Sequence, residues 1–188
     1  MTTNTTPAIA GQNDTTRSGA QPQMSQTRIE IYPDGSCIGN PGPGGWGAVI
    51  LRKDASGKII KKMEISGMDT STTNIRMEMT AVRGALDFLG KVTEEPITVF
   101  CDANLIPNAF NGWLENWKAK DWKTSKGKPV ENRDLWEHLE GGAAGRTVTW
   151  AWVRGHNGNE HNERADKLAY AQARKAEDTI ITELICAV

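Results

Sequence analysis

Four carboxylates, Asp34, Glu78, Asp102 and Asp166, sit in sequence surroundings that give each a different meaning. Glu78 is the most informative. Ile75, Met79, Val82, Leu86 and Leu89 recur at helical spacing, and Glu78 falls on that apolar stripe rather than on the wet face. An unpaired carboxylate buried there is costly, and no Lys or Arg shares the stripe, which makes a metal ion a natural partner. The alternative is that Glu78 lies near enough to the helix start to be solvated and favoured by the helix dipole. Asp102 directly follows Ile97-Thr98-Val99-Phe100-Cys101, at the carboxyl end of an expected interior strand, where open α/β sheets place their ligands. Asp34 follows the first expected strand and enters a turn; an Asp before Gly also makes a turn for its own sake. Asp166 lies in the last expected helix, where a polar surface face is the plain alternative. Chain spacing alone does not establish that these acids converge. Brought together, their oxygens are what Mg²⁺ takes, and two ions about 3.5 to 4 Å apart suit in-line phosphodiester hydrolysis.

The elements that must position these groups are legible in outline. Ile29 and Ile31 alternate with polar neighbours as a strand beginning near Arg28; Trp46 to Leu51 and Ile59 to Ile65 read as the next two, an antiparallel meander. The helix carrying Glu78 follows, with Thr72 or Thr73 placed to cap it. Then come a strand over Ile97 to Cys101, a Trp-rich and Lys-rich helical region from Asn108 to Ala143, a strand over Val148 to Val153, and a last helix from about Glu160 to Ala176. This order predicts an α/β fold, a mixed sheet flanked by helices.

Composition bounds the rest. The chain has 188 residues, enough for one domain that buries a core without staples. Residues 1–26 are rich in Thr, Gln, Ser, Asn and Gly, hold no aromatic residue, and are expected to be a disordered polar tail. The domain is expected over 27–176, with 177–188 as a C-terminal tail. A net charge of −1 excludes a protein that coats nucleic acid by bulk charge, so polyanion contact requires a local basic patch. Between Trp113 and Arg133 there are six basic and three acidic residues, and four of the seven tryptophans fall in or beside this stretch. Such mixing suits a groove that tracks a nucleic-acid backbone, although Trp117 and Trp122 also read as core. Cys37, Cys101 and Cys186 fit neither a disulfide framework nor a zinc site, which points to a reducing cytoplasm. No stretch reads as a signal peptide or a membrane span. Two Asn-x-Thr triplets in the tail, without a secretory route, are read as chance.

The motifs Tyr32-Pro33-Asp34-Gly35-Ser36-Cys37-Ile38-Gly39-Asn40-Pro41-Gly42-Pro43-Gly44-Gly45, Asn74-Ile75-Arg76-Met77-Glu78, Cys101-Asp102 and Val153-Arg154-Gly155-His156 with Asn162-Glu163-Arg164-Ala165-Asp166 together resemble type 1 ribonuclease H over about residues 28 to 175. The resemblance implies the ribonuclease H fold, a five-stranded mixed sheet whose first three strands are antiparallel. It implies an endonuclease that cuts the RNA strand of an RNA/DNA hybrid, leaving 3′-hydroxyl and 5′-phosphate ends. Asp34, Glu78, Asp102 and Asp166 then correspond to the carboxylates that bind Mg²⁺, or Mn²⁺ in its place, as two ions with substrate bound. His156 corresponds to a mobile histidine, where an imidazole can shuttle protons or help expel product. Cys37, Asn40, Asn74 and Asn104 align with positions facing the minor groove of the hybrid, where 2′-hydroxyls distinguish RNA from DNA. Thr73 and Asn132 align with a pocket for a DNA phosphate, and Trp113 and Trp136 with aromatics along the DNA-strand channel. A monomer acting on the hybrid, away from membranes, is expected.

Some positions depart from the family's pattern. Pro33 lacks the N–H a central strand would donate, so a local break is expected there. Ile75 replaces a polar minor-groove contact, Ala103-Asn104-Leu105 replaces the common Ser-Gln-Tyr, and Ala119 and Asp121 dilute the basic segment; hybrid affinity is expected to be lower than typical. Gly42-Pro43-Gly44-Gly45-Trp46-Gly47 formally fits a dinucleotide fingerprint, but it leads into a strand rather than a helix. A catalytically silent hybrid-binding module on the same fold is the rival from another class; it needs a distorted site although the acids and His156 are present. An integrase or resolvase is disfavoured by the Trp/Lys segment.

Overall fold

The computed structural model describes residues 27–90, 94–155 and 158–186. The tail 1–26 and His156 lie outside the described residues. Five strands form one sheet in the order β3-β2-β1-β4-β5: β1 (Arg28–Cys37), β2 (Gly42–Lys53), β3 (Ile59–Thr72), β4 (Ile97–Cys101) and β5 (Val148–Trp152). The first three are antiparallel, and β4 joins parallel to both β1 and β5. Because side chains alternate along a strand, Ile29, Ile31, Ala48 and Ile50 point to one face, and Tyr32, Val49 and Leu51 to the other.

The two faces are covered differently. On the first lie α1 (Asn74–Phe88) and α4 (Arg133–Ala143), whose Met79, Val82, Leu86, Leu135, Trp136 and Leu139 complete a large apolar core. Thr73 caps α1, its hydroxyl accepting from the Arg76 N–H at 3.4 Å. Between β4 and α4 run α2 (Leu105–Asn108), a wide π turn over Ala109–Trp113 kinked at Gly112, and α3 (Leu114–Ala119). On the second face lies α5 (Glu160–Cys186), whose buried positions Ala165, Ala169, Ala173 and Ala176 are all small. A Cβ on Gly45 would sit 2.3 Å from the Ala169 carbonyl oxygen, and one on Gly47 2.8 Å from that of Ala165. The glycine run of β2 thus seats a helix against bare backbone, the reason for its glycines.

Three expectations change. The helical region 108–143 is interrupted: residues 120–132 leave the helix, with Asp121, Trp122 and Asn132 at positive φ. The last helix runs ten residues beyond Ala176, to Cys186, exposing Ile181, Leu184 and Ile185. Asp34 does not enter a turn; β1 continues through Asp34 and Gly35 to Cys37, paired with Gly47, Trp46 and Gly44. The cross-strand ladder with β2 overrides the local turn signal, and the chain reverses only after Cys37, where the Ile38 N–H donates to the Pro43 carbonyl at 2.8 Å. Pro33 leaves the β2 ladder intact; the parallel register with β4 covers Ile29 to Ile31 and stops short of it. The break is therefore one-sided, and past it the ends of β1 and β4 carry Asp34 and Asp102.

Candidate active site

Two buried glutamates show what is unusual about this end of the sheet. Glu30, 8% exposed, receives the Lys53 ammonium at 2.6 Å and the Tyr32 hydroxyl at 3.0 Å. Burial pushes its carboxyl up, but those hydrogen bonds outweigh it and hold the group below the usual carboxylate range. Glu78 is equally buried, at 7%, and faces Asp34 and Asp102 instead of a cation. Oxygens of these three carboxyl groups lie within 4.8 Å of one another. Burial first, then the charges of Asp34 and Asp102, drive Glu78 well above its ordinary range. Asp34 is pushed up to about 7 by burial and by Asp102, opposed by the Gly35 N–H that donates to Oδ1 at 2.7 Å. Cys101 beside them is also raised, by complete burial and by Glu78.

Backbone contact creates this proximity. A Cβ on Gly35 would lie 2.2 Å from the Glu78 nitrogen and 2.5 Å from the Met77 carbonyl carbon, so only glycine lets β1 and α1 touch where the two acids meet. Asp102 is fixed from the C-terminal half. Trp152 Nε1 donates to its carbonyl oxygen at 2.8 Å, Asn162 Nδ2 donates to Oδ2 at 3.3 Å, and a Cβ on Gly155 would meet Oδ2 at 2.9 Å. Asp166, half-buried on α5, stands outside the three-carboxylate group, yet its charge raises the Asp34 carboxyl. The donor set fits a hard divalent cation: oxygen ligands only, gathered in a buried site, with repulsion that a cation would relieve and no ion pair to any of the four acids among the described residues.

Alongside runs a groove of about 480 Å³ lined by Asn40, Thr73, Asn74, Ile75, Glu78 and Asn132, among others. Four of the expected substrate residues therefore share one surface with a carboxylate. The Asn74 N–H donates to Asn40 Oδ1 at 3.0 Å; Arg76, bidentate on Asp134, also donates to Asn132 Oδ1 at 3.1 Å. Asn104 is exposed at the start of α2. The Cys37 thiol is half-buried and turned to the Thr72 carbonyl at 3.5 Å. The two tryptophans separate: Trp113 is 43% exposed, whereas Trp136 is 1% exposed, its Nε1 donating to the Glu131 carbonyl and its ring in tilted contact with Trp117 and Phe110. The Trp136 indole belongs to the core and does not line a channel. Trp122 is buried, under the Arg133 guanidinium, as a core reading requires. Lys120, Lys123, Lys126 and Lys128 are exposed and make no ion pair among the described residues, while Lys118 is held by Glu140 and Arg133 by Glu137.

Sequence reading assigned no role to Asn162 or Arg76, although both stand in quoted motifs. The signal for Asn162 was available: with Ala165, Ala169 and Ala173 it forms a small-residue helical stripe, and a polar group on that stripe is as anomalous as Glu78 is on its own.

Sheet order and the carboxylate cluster at the strand ends together define a nuclease of the ribonuclease H-like fold. The RNase H family model matches residues 26–174. The Ribonuclease H of Jannaschia sp. (strain CCS1) is 46% identical over 143 residues, 76% of this chain and 89% of its own length. That of Polaromonas naphthalenivorans is 45% identical over 164 residues, 86% of this chain and 97% of its own length. Among solved structures, LC9-RNase H1, described as a type 1 RNase H with the type 2 active-site motif, superposes with a TM-score of 0.71 at 30% identity, covering 80% of this chain and 74% of its own. LC11-RNase H1 in complex with RNA/DNA hybrid gives 0.60 at 28% identity, covering 79% and 99%. The chain belongs to the ribonuclease H family, type 1, and is an endoribonuclease.

Proposed function

We propose that the chain cuts the RNA strand of an RNA/DNA hybrid at a centre formed by Asp34, Glu78, Asp102 and Asp166, which take two Mg²⁺ ions, or Mn²⁺, when the hybrid is bound. The observation that carries this reading is the trio Asp34, Glu78 and Asp102, two buried and one half-buried, within 4.8 Å of one another and with no ion pair among the described residues, beside a buried Glu30 that is neutralised by Lys53. Divalent ions held by these carboxylates would supply a water of lowered pKa and offset charge on the scissile phosphate; a P–O bond formed by that water as the ribose O3′ departs and takes up a proton would leave 3′-hydroxyl and 5′-phosphate ends. The protein's part is to gather and orient the acids, whose mutual repulsion and burial a bound cation would offset. Gly35 N–H donates to Asp34, Asn162 to Asp102, and the depth of Glu78 keeps bulk water from competing.

Along the groove, Asn40 and Asn74 face the minor groove and its 2′-hydroxyls, joined by Asn104 and Cys37 on the strength of the motif match, and Thr73 with Asn132 accepts a DNA phosphate. Trp113 and the exposed lysines of 120–128 follow the DNA strand. His156 moves protons or aids product departure, a role carried by the motif match. We place the protein in the cytoplasm as a monomer, a setting consistent with its free cysteines; among the described residues no helix is long and apolar enough to cross a membrane.

The test is a labelled hybrid incubated with Mg²⁺, with and without chelator, beside the Asp102→Asn variant. Cutting of the RNA strand by the wild type, abolished by chelator and reduced at least about 10³-fold in the variant, equivalent to about 4 kcal/mol of transition-state stabilisation, is expected. Intact RNA in the wild-type reaction overturns the reading.

A further inference from the structure

Asn162 is the odd residue of α5. It sits on the stripe of Ala165, Ala169 and Ala173 that lies on the sheet, it is 1% exposed, and it spends its amide on a single long hydrogen bond. Nδ2 reaches Asp102 Oδ2 at 3.3 Å, and Oδ1 is buried with no hydrogen-bond partner among the described residues. Turning the amide over would set Oδ1 against the Asp102 carboxylate, two acceptors in contact, so the orphaned oxygen is the necessary consequence of aiming the donor at Asp102. An alanine would continue the stripe without either cost. Nothing in packing accounts for an asparagine here, and a buried acceptor left unpaired is a penalty the fold accepts for another reason.

That reason lies at Asp102. Its backbone is pinned by Trp152, and Gly155 packs against Oδ2, but Asn162 is the one side chain among the described residues found donating to its carboxyl oxygens. Asn159 in turn fixes the start of α5, its Oδ1 accepting from the N–H groups of His161 and Asn162 at 3.1 and 3.2 Å. We propose that Asn162 is a positioning residue for the catalytic centre: it holds the Asp102 carboxylate in the rotamer that faces Asp34 and Glu78. Through it the seating of α5, which also carries Asp166, is coupled to the trio. The proposal rests on the metal-dependent reading above. Removing a group that orients a metal-binding side chain typically costs about 10- to 100-fold in metal affinity or turnover.

Asn162→Ala and the near-isosteric Asn162→Leu, compared with wild type on the full chain, test it. Three readouts are needed: Tm in chelator, the Kd for Mn²⁺ by calorimetry without substrate, and kcat and KM on a labelled hybrid. Both variants are expected to melt at or above the wild-type temperature, to bind Mn²⁺ about 10- to 100-fold more weakly, and to lose kcat with KM for the hybrid unchanged. A residue with a merely structural role would lower Tm and leave Mn²⁺ affinity and kcat alone. Wild-type Mn²⁺ affinity and kcat in both variants, whatever their Tm, overturn the proposal. A wild type that leaves the hybrid intact would instead overturn the broader reading, so the two failures are distinct.

Discussion

The carboxylate end of the sheet and the tryptophan–lysine segment 113–136 are built on opposite terms. In the first, charge is buried and located by backbone: Gly35 against α1, Gly155 against Asp102, glycines of β2 against α5. In the second, charge is exposed and the apolar groups are below it, with Trp122 and Trp136 in the core and Lys120, Lys123, Lys126 and Lys128 in solvent. The difference teaches where each kind of substitution is felt. A chemical step needs carboxyl groups fixed to fractions of an ångström, which close-packed main chain and a buried donor such as Asn162 provide; strand tracking needs positive charge within a screening length, which flexible lysines provide.

The sharpest way to break the comparison is inside the second region. Trp136→Ala should cost about 3 to 5 kcal/mol of stability by urea unfolding, because it empties a buried site, while Trp113→Ala should cost under about 1 kcal/mol and show itself in hybrid affinity. Equal losses would dissolve the division between floor and surface.

At the carboxylate end the prediction concerns pH. Asp34 and Glu78 have folded-state affinities for protons raised above those of the unfolded chain. The native state therefore keeps protons that the unfolded state has released, and stability falls as pH rises from about 4, the ordinary carboxylate range, through about 7, the raised Asp34 value. Melting in chelator across that window should show the decline. Asp34→Asn should flatten it, and Mg²⁺ should restore stability at the upper end. A flat profile would mean the acids do not crowd one another.

Gly35→Ala tests whether backbone contact is what brings Asp34 and Glu78 together. With a Cβ 2.2 Å from the Glu78 nitrogen, β1 and α1 must part; about 1 to 3 kcal/mol of stability and most of the cutting activity should be lost together. The smallest effect belongs to Lys123, Lys126 and Lys128. Changed together to Ala, they should raise KM for the hybrid about 10-fold at low salt, reduce the salt dependence of binding, and leave kcat and Tm unchanged.

Much of this was legible in the chain. Glu78 declared itself as an acid on an apolar stripe, because helical periodicity is local and survives without knowledge of the partner. The motif order identified the family and hence the sheet, and Asp102 was readable as the end of a short apolar strand. What local pattern could not supply was anything decided by contacts far apart in sequence. Asp-Gly-Ser has the chemistry of a turn, yet the ladder with Gly44 to Gly47 keeps it in β1. Trp113 and Trp136 look alike in sequence, and only the packing of α4 against α1 sends one to solvent and the other to the core. The order of residues therefore determined which groups are present and on which face of each element they lie. The tertiary structure decided which of them meet, since the meeting of Asp34, Glu78 and Asp102 depends on glycines that let strand and helix touch.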